Sequence, residues 1–343
     1  MFFRVLAGRR PPRPKEAKAR ILCFTCAGVS EMLDALPLFH ALRRHHPQAQ
    51  LTVACDPLGA PIAQACPAVN EVIVLEPGWN SWPAALKNAA RLHDHDWVIA
   101  AKGGFDRRLA LLTRVTNAAI RIGFERRADR PSAYYTEPVA LPGDLNGERR
   151  FNTLLRLLKP LGLVKSTDFS VDLSLRVPDS AREFAAEILA EFPFSLASRF
   201  MLINLSAAGG LKFREEDFIA LARRILGSTD FIIGLVAASA DQSTADEIAA
   251  CMGSNRITSV RTPGPLELAA LLEHAVILLT PEDETARLAA AVDARALVLG
   301  SEGPFKKEQA RGRRCDFVHA EPGEQTIPVE RVWQALQPFV VSK

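Results

Sequence analysis

The sequence predicts an α/β protein with two doubly wound, Rossmann-like domains that face each other across a cleft. Short apolar runs alternate with amphipathic stretches after residue 20, and the alternation falls into two series of similar size. Near-continuous apolar runs are typical of parallel strands that helices cover on both faces. A chain of 343 residues is long enough for two such domains, each with its own core.

The first series contains apolar runs that predict strands at 20–26, 51–56, 71–76, 97–102 and 120–124. Between these runs, apolar residues recur at the spacing of one helix face. Helices are therefore expected at 31–46, shortly after residue 56, at 81–94 and at 106–115.

A stretch rich in proline and glycine follows at 128–147 and is expected to be a loop. Helices are expected at 148–162 and at 180–191, with the segment 168–177 between them. The segment 191–199, EFPFSLASR, has the composition of a linker between the two halves.

The second series predicts strands at 200–207, 231–239, 256–260, 276–281 and 296–300, again with helices between them. A last amphipathic helix is expected to pack back on the first half. The expected organisation is a basic tail at 1–20, a first domain at 21–190, a linker at 191–199, a second domain at 200–326 and a C-terminal helix at 327–343.

The composition limits the class of protein. Hydrophobic residues make up 48% of the chain and charged residues 24%, which indicates a globular protein. A net charge of +3 without a long basic tract in the body of the chain does not indicate a nucleic-acid partner. No run approaches the roughly 18 apolar residues that a membrane-spanning helix needs, and no signal peptide is recognised. A cytoplasmic location is therefore expected.

The cysteine pattern does not predict a metal site. Cys23 and Cys26 lie in the first predicted strand, where residues three apart point to opposite faces of the sheet. No second CxxC motif and no pair of histidines accompany them. Buried free thiols in a reducing compartment are the expected state, and no metal or other cofactor is predicted.

The N-terminal tail has two interpretations. It begins with Phe2 and Phe3 and then carries basic residues interrupted by prolines, which prevent one long helix. The tail is either a solvated extension or a weak anchor for anionic lipid at the inner leaflet of the membrane, where each basic residue adds about 1 kcal/mol.

Ligands of doubly wound sheets bind at the carboxyl ends of the strands, so the turns there are the candidate sites. The first turn leads to Glu31, which follows the N-cap candidate Ser30. Glu31 is a candidate general base that projects into the cleft. Alternatively, its charge only complements the helix dipole.

A second candidate turn follows the strand at 97–102. Lys102 ends the strand, Gly103 gives backbone access, and Arg107 and Arg108 begin the next helix. This combination of cations and glycine suits an anionic ligand. The alternative is an ordinary turn beside a basic helix face.

A third candidate turn begins at the end of the strand predicted at 200–207. Ser206, Gly209, Gly210 and Lys212 could hold a diphosphate with a hydroxyl, backbone amides and an ammonium group. The turn does not have the GxxxxGK[ST] pattern of a P-loop. No GxGxxG motif follows any predicted strand, which argues against a nicotinamide enzyme.

Four stretches in order resemble glycosyltransferase family 9, the lipopolysaccharide heptosyltransferases. They are LDALPLFHALRRHHPQAQLTVACD, WVIAAKGGFDRRLALL with AAIRIGF, NLSAAGGLKFREEDFIALARRI, and LELAALLEHAVILLTPEDETARLAAAVDARALVLGSEGP. The resemblance implies a GT-B architecture and inverting transfer of a sugar, usually from ADP-heptose, to a lipid-linked acceptor without a required metal. The first domain would then bind the acceptor and the second the nucleotide-sugar donor.

The resemblance assigns roles residue by residue. Where the family has Gly-Asp before the first long helix, this chain has Ser30 and Glu31, so Glu31 is the inherited candidate for the base. The family's donor loop is similar to Asp-Ser/Thr-Gly-Pro-x-His. At those positions this chain has Glu282, Asp283, Glu284, Thr285, Ala286 and Arg287.

Carboxylates close to a donor diphosphate repel it, by about 1–4 kcal/mol each at 4 Å. Three interpretations remain open. Arg287 neutralises the loop and faces the donor, or a divalent ion bridges carboxylates and diphosphate, or the donor site is altered and the acids cap the helix. After the last strand, Lys306 either contacts the nucleotide or is solvated surface.

The sequence therefore predicts a cytoplasmic glycosyltransferase, peripheral on the inner membrane. Its expected partners are a nucleotide-sugar donor, ADP-linked by analogy with the family, and a lipid-linked glycan such as a lipopolysaccharide core. The alternative is a catalytically altered protein of the same architecture that acts as a binding or assembly subunit. An epimerase of the same two-domain form is a third interpretation.

Overall fold

The computed structural model describes most of the chain. The described residues are 19–25, 28–75, 92–125, 134–141, 150–163, 172–192, 199–206, 214–262, 264–300, 314–321, 324 and 326–340. Several expectations concern residues outside these ranges, namely the tail to residue 18, Cys26, the predicted helix at 81–94 up to residue 91, most of the linker, Gly209, Gly210, Lys212 and Lys306.

Two compact units divide the chain, Met1–Asp172 and Leu173–Lys343. The first unit contains a six-stranded sheet in the order β3-β2-β1-β4-β5-β6, with every neighbouring pair parallel. Its strands β1 to β6 are Arg20–Thr25, Gln50–Cys55, Glu71–Val74, Trp97–Ala100, Ile120–Glu125 and Glu137–Ala140.

The described helices of the first unit are α1 (Gly28–His45), α2 (Ala60–Ala65), α3 (Arg107–Val115) and α4 (Arg150–Leu155). A 3-10 helix, Arg156–Leu161, continues α4 and ends at Gly162, whose positive φ of 73° favours glycine. The segment 32–39 within α1 is buried without a break, so this helix is covered on all its faces. The long first helix is therefore held rigidly behind the turn that precedes it.

The second unit contains a second six-stranded parallel sheet, in the order β12-β11-β10-β7-β8-β9. Strands β7 to β12 are Arg199–Asn204, Phe231–Val236, Ile257–Ser259, Ile277–Pro281, Ala296–Gly300 and Cys315–His319. The described helices are α5 (Asp179–Ala190), α6 (Glu215–Ser228), α7 (Gln242–Met252), α8 (Pro265–His274), α9 (Glu284–Ala291) and α10 (Val329–Val340).

Both sheets reverse their strand order at a central pair of strands. In the first unit the reversal lies between β1 and β4, and in the second between β7 and β10. Helices that follow the two strands of such a pair lie on opposite faces, so their turns leave a crevice at the carboxyl ends. These two topological switch points are the places where each unit can bind a ligand.

The division between the units lies earlier than the expected boundary after residue 190. Helix α5 contacts α8, and the guanidinium of Arg182 donates to Glu273 with an Nε–Oε2 distance of 2.9 Å. The backbone N–H of Leu175 also donates to the carbonyl of Ala291 at 3.0 Å. These contacts assign α5 to the second unit rather than to the first.

The expectation that the C-terminal helix packs back on the first half is corrected by the structure. Val332, Trp333 and Leu336 of α10 are buried in the core of the second unit. The guanidinium of Arg199, at the start of β7, donates to the carbonyl of Phe339 at 2.6 Å. The apolar face of this helix therefore completes the second core.

Strands β6 and β12 were not expected from the sequence. Each is the outermost strand on its side of a sheet, and each has a single buried residue. An edge strand covered by few neighbours does not need a continuous apolar run, and β6 even contains Pro138, which edge strands tolerate. The predicted loop at 128–147 therefore contains a strand.

Two smaller expectations can be compared with the described residues. Cys23, Cys55 and Cys66 are buried free thiols, and burial raises the pKa of Cys66 to about 11. Among the described residues, no helix combines the length and the apolar composition needed to cross a membrane.

Candidate functional site

The switch point of the second unit is bridged by a buried amide. Asn204, the last residue of β7, is almost completely buried, and its Nδ2 donates to the Oδ2 of Asp283 at 2.7 Å. The same nitrogen lies 3.0 Å from the hydroxyl oxygens of Thr280 and Thr285. Thr280 belongs to β10 and Thr285 to α9, so these bonds join the end of β7 to β10 and to the helix that follows β10.

Asp283 is the N-cap of α9. Its Oδ1 accepts from the backbone N–H groups of Thr285 at 2.8 Å and Ala286 at 3.2 Å, and from the hydroxyl of Thr280 at 3.2 Å. Burial raises the pKa of Asp283, although these bonds and that from Asn204 act in the opposite direction. One of the three acids at this turn is therefore required to start the helix.

Glu282 and Glu284 flank the cap and carry the excess negative charge. Burial raises the pKa of both carboxyl groups, and for Glu284 the nearby charge of Asp283 raises it further. Arg287, half-buried in α9, lowers both pKa values. The charge of Arg287 thus acts on both flanking acids, but it does not outweigh the effect of burial.

His319 is a residue of this edge that sequence reasoning missed. It ends β12, and a Cβ built on Gly300 at the end of β11 would lie 2.7 Å from His319 Nδ1 and 3.9 Å from Glu282 Oε2. A side chain at position 300 would therefore require His319 to move. The ends of β10, β11 and β12 lie next to one another here. Because β12 was not predicted from the sequence, this position of His319 was not predicted either.

Ser206 connects two further loops of the same edge. Its backbone N–H donates to Asn204 Oδ1 at 3.1 Å, and its hydroxyl accepts from the N–H of Ala238 at 3.3 Å. Ala238 follows β8, so Ser206 lies among the strand ends, as predicted. The other residues proposed for the diphosphate lie outside the described part of the chain, namely Gly209, Gly210, Lys212 and Lys306.

The first unit's switch point contains Glu31 on a turn braced by Asp56. Glu31 lies half-buried in the first turn of α1. Asp56, which follows β2, accepts from Gly28 N at 2.8 Å through Oδ2, and from Leu58 N at 2.9 Å and Gly59 N at 3.0 Å through Oδ1. Sequence reasoning missed Asp56, whose carboxylate fixes the turn that carries Glu31.

Two glycines make that turn possible. Gly28 has a φ of 79°, which other residues adopt at a cost. A Cβ on Gly59 would lie 3.1 Å from Met32 Cε and 3.4 Å from the carbonyl oxygen of Gly28. The loop after β2 therefore packs directly against the start of α1.

Lys102 lies at the carboxyl end of β4, where it was predicted, but its ammonium is engaged. Nζ donates to Asp106 Oδ2 at 2.9 Å. Asp106 also caps α3 by accepting from Arg108 N at 2.9 Å and Leu109 N at 3.2 Å. Burial opposes ionisation, but the bonds to Lys102 and to the helix amides hold the pKa of Asp106 below its usual value.

The remaining predicted acceptor residues are accessible. Arg107 and Arg108 are exposed in the first turn of α3, where a positive charge gains nothing from the helix dipole. Gly103 is exposed, and a Cβ there would meet no described atom within 4 Å. This edge of the first unit therefore presents two exposed arginines next to the Lys102–Asp106 ion pair.

Metal binding has no visible basis in the part of the chain that the structure describes, because no three His, Cys, Asp or Glu residues there are grouped to hold an ion. The bridging divalent ion considered for the acidic loop therefore has no protein-only site among these residues. Whether the chain works without a metal stays a prediction.

The chain was compared with known proteins. No protein-family model matches it, and no curated protein matches its sequence. Solved structures do match. The crystal structure of a glycosyl transferase family 9 protein from Veillonella parvula has a TM-score of 0.80 at 16% sequence identity, over 95% of this chain and 99% of that one.

Two Escherichia coli structures are also similar. ADP-heptose lipopolysaccharide heptosyltransferase II has a TM-score of 0.75 at 15% identity, over 93% of this chain and 98% of that one. Heptosyltransferase WaaC with ADP has a TM-score of 0.71 at 18% identity, over 94% and 100% respectively. The resemblance inferred from the sequence is thus confirmed in the fold: the chain has the two-domain α/β GT-B fold of glycosyltransferase family 9 and ADP-heptose heptosyltransferase structures.

Proposed function

We propose that the protein is an inverting glycosyltransferase that moves a heptose or similar sugar from a nucleotide-sugar donor to a lipopolysaccharide core or another surface glycan. The observation that carries the proposal is the match of nearly the whole chain to structures of such enzymes, one of them described with ADP and another with ADP-2-deoxy-2-fluoro heptose. The donor is accordingly proposed to be ADP-linked.

The first unit is proposed to bind the acceptor and to supply the base. Glu31 stands on a turn that Asp56 and Gly28 hold rigidly, which supports a reacting role more than a purely capping one. The carboxylate removes the proton of the acceptor hydroxyl as its oxygen attacks the anomeric carbon. The bond from that carbon to the diphosphate oxygen breaks, and the nucleoside diphosphate leaves with the electron pair.

The second unit is proposed to bind the donor. Ser206, Gly209, Gly210 and Lys212 are proposed on one side of the diphosphate, and Lys306, Glu282 and Arg287 on the other. For Asp283, the bonds to the helix amides favour a positioning role over direct contact with the donor. The positive charge of Arg287 partly compensates Glu282 and Glu284, which supports binding of a diphosphate beside the acidic loop.

The acceptor is proposed to be an anionic, lipid-linked glycan. Arg107 and Arg108 are exposed cations at the carboxyl edge of the first sheet, beside Lys102 and Gly103. Their lack of dipole compensation supports a role in ligand binding. A phosphate-bearing core oligosaccharide has the matching charge.

The enzyme is proposed to act in the cytoplasm, peripherally on the inner membrane. The motive is the basic, proline-interrupted tail at 1–20, whose cations suit anionic lipid. A protein lacking the tail should fold and transfer sugar normally but sediment less with anionic vesicles than the full chain. Equal sedimentation of the two proteins would eliminate the anchor.

The direct test of the function is transfer of sugar from ADP-heptose to a heptose-free core acceptor, with the mass of the product measured by mass spectrometry. ADP binding measured by calorimetry is the necessary first step. An outcome with ADP binding but no transfer and no donor hydrolysis would refute the proposed activity and favour the binding or assembly subunit. The observation that supports a binding or assembly subunit is that Glu284 stands where the family has glycine.

A further inference from the structure

At the second switch point, the buried side chain of Asn204 is hydrogen-bonded through both its nitrogen and its oxygen, and the proposed chemistry does not use it. We infer that Asn204 is a positioning residue that couples Ser206, which follows β7, to Asp283, which caps α9, and so holds the two sides of the crevice in the arrangement that binds the nucleotide diphosphate. The inference deepens the proposed function and rests on it for the identity of the ligand.

The orientation of the amide follows from its neighbours. Nδ2 faces the carboxylate of Asp283 at 2.7 Å, which can only accept, and Oδ1 faces the backbone N–H of Ser206 at 3.1 Å, which can only donate. An inverted amide would break both bonds. The side chain of Asn204 is therefore fixed between one residue of each loop.

The coupling spans the crevice rather than lying to one side of it. Ser206 continues the chain from β7 into the predicted diphosphate loop, whereas Asp283 caps the helix that follows β10. Strands β7 and β10 are the pair at which the sheet order reverses. A ligand at this switch point contacts the loops that the amide joins.

Burial makes the arrangement sensitive to substitution. Asn204 is 2% exposed, so water cannot readily replace a lost hydrogen bond. Removal of the amide leaves Asp283 without one of its charge-assisted donors and Ser206 N without its acceptor. Ser206 and Asp283 are then no longer linked through a shared side chain, although the strands that precede them remain paired.

The experiment compares Asn204→Ala with a control substitution that also removes side-chain hydrogen bonds in the second unit. Arg256→Ala is suitable, because its guanidinium donates to the carbonyls of Thr229 and Leu226 at the opposite, amino edge of the same sheet. At temperatures where both variants are folded, ADP affinity is measured by calorimetry. We expect Asn204→Ala to bind ADP about tenfold more weakly than the wild type, and Arg256→Ala to bind it equally well.

A second variant separates positioning from simple packing. Asn204→Asp places a carboxyl group against Asp283, so the pair repels when both are ionised and forms an O–H to O⁻ hydrogen bond when one is protonated. As the pH falls from about 8 to about 5, we expect the ADP affinity of Asn204→Asp to rise toward the wild-type value, whereas that of Asn204→Ala should not recover in this way. Glu282, Glu284, Arg287 and His319 also face this region, but they are common to both variants and cancel in the comparison.

Amide hydrogen exchange without any ligand distinguishes failure of the inference from failure of the function. Asn204→Ala should accelerate exchange at the N–H groups of Ser206, Thr285 and Ala286, whereas Arg256→Ala should not. If the wild type binds no ADP, the donor assignment fails and the exchange rates alone decide whether Asn204 couples the loops. If the wild type binds ADP, unchanged affinity in Asn204→Ala overturns the inference and leaves the proposed function intact.

Discussion

The two switch points have the same strand order but are braced in different ways. In the second unit, Asn204 and Asp283 join the two central loops directly. In the first unit, the bracing carboxylate is that of Asp56, which follows β2, the strand beside the central pair. Thr25, which ends β1, is buried, and its hydroxyl has no hydrogen-bond partner among the described residues.

This difference is consistent with the division of roles that we propose for the two units. In the first unit, Asp56 fixes the turn that carries Glu31 from the neighbouring strand. Its side chain does not join the ends of the two central strands β1 and β4. A brace across the centre fixes two loops relative to each other, as binding of a many-atom diphosphate requires. Substitutions in the first unit should therefore change turnover, and those in the second should change donor affinity.

Glu31→Gln should have the largest effect and sharpen the comparison most. Loss of a positioned base should lower the turnover number by about 100-fold or more while ADP affinity and thermal stability stay unchanged. Steady-state kinetics and calorimetry measure the two quantities. Glu247→Gln, which removes an exposed acid from α7, is the control, and unchanged turnover in Glu31→Gln would reduce Glu31 to a helix-capping charge.

Asp56→Ala tests whether the first brace acts through Glu31. The substitution leaves the amides of Gly28, Leu58 and Gly59 without their carboxylate acceptor, and we expect turnover to fall between about tenfold and a hundredfold. ADP affinity should stay at the wild-type value. A fall in ADP affinity as large as that in turnover would contradict the division of roles.

Arg287→Ala tests the balance of charge in the acidic loop. Removal of this cation leaves Glu282 and Glu284 facing the donor, so ADP affinity should fall by about tenfold or more. Glu284→Gly should raise the affinity, because it removes a charge and restores backbone access at the start of the helix. Added salt should weaken both effects. Calorimetry that shows neither change would leave the acids as helix caps and favour the inactive subunit.

Arg107→Ala combined with Arg108→Ala tests the acceptor edge. Both side chains are exposed, so each contributes a screened interaction, and the acceptor KM should rise by only about three- to tenfold. Turnover at saturating acceptor and ADP affinity should not change. Arg223→Ala, an exposed cation on α6, provides the matched control. A change in ADP affinity instead would place these cations on the donor.

Glu284→Gln should have the smallest effect, on stability. Partial burial and the charge of Asp283 raise the pKa of Glu284 above that of the unfolded chain, so the folded state binds the extra proton more readily. The contribution of this carboxyl to stability is thus most favourable at acidic pH and declines as pH rises through its folded pKa. The variant should be more stable than the wild type at neutral pH, by about 0.5 kcal/mol or less. The difference in melting temperature between the two proteins should change between acidic and neutral pH. If it is the same at both, this assignment is wrong.

Local patterns predicted most of the fold. The central strands are continuous apolar runs because helices cover both faces, and such runs are visible without any partner. Asp106 was placed at the start of its helix, and Glu31 at a strand-end turn, from residue types alone. The edge strands β6 and β12 escaped prediction, because a strand with one buried residue has no apolar run to detect.

By itself, the sequence determined two parallel α/β units, the strand-end turns at which we propose that ligands bind, and the acidic character of the loop before α9. The tertiary structure alone decided which residues act together. Asn204 and Asp283 are separated by 79 positions, and Gly28 and Asp56 by 28, so neither brace leaves a local signature. It also decided that α5 belongs to the second unit and that α10 completes the core of that unit, because the sequence of a helix shows its amphipathic face but not the surface that this face covers.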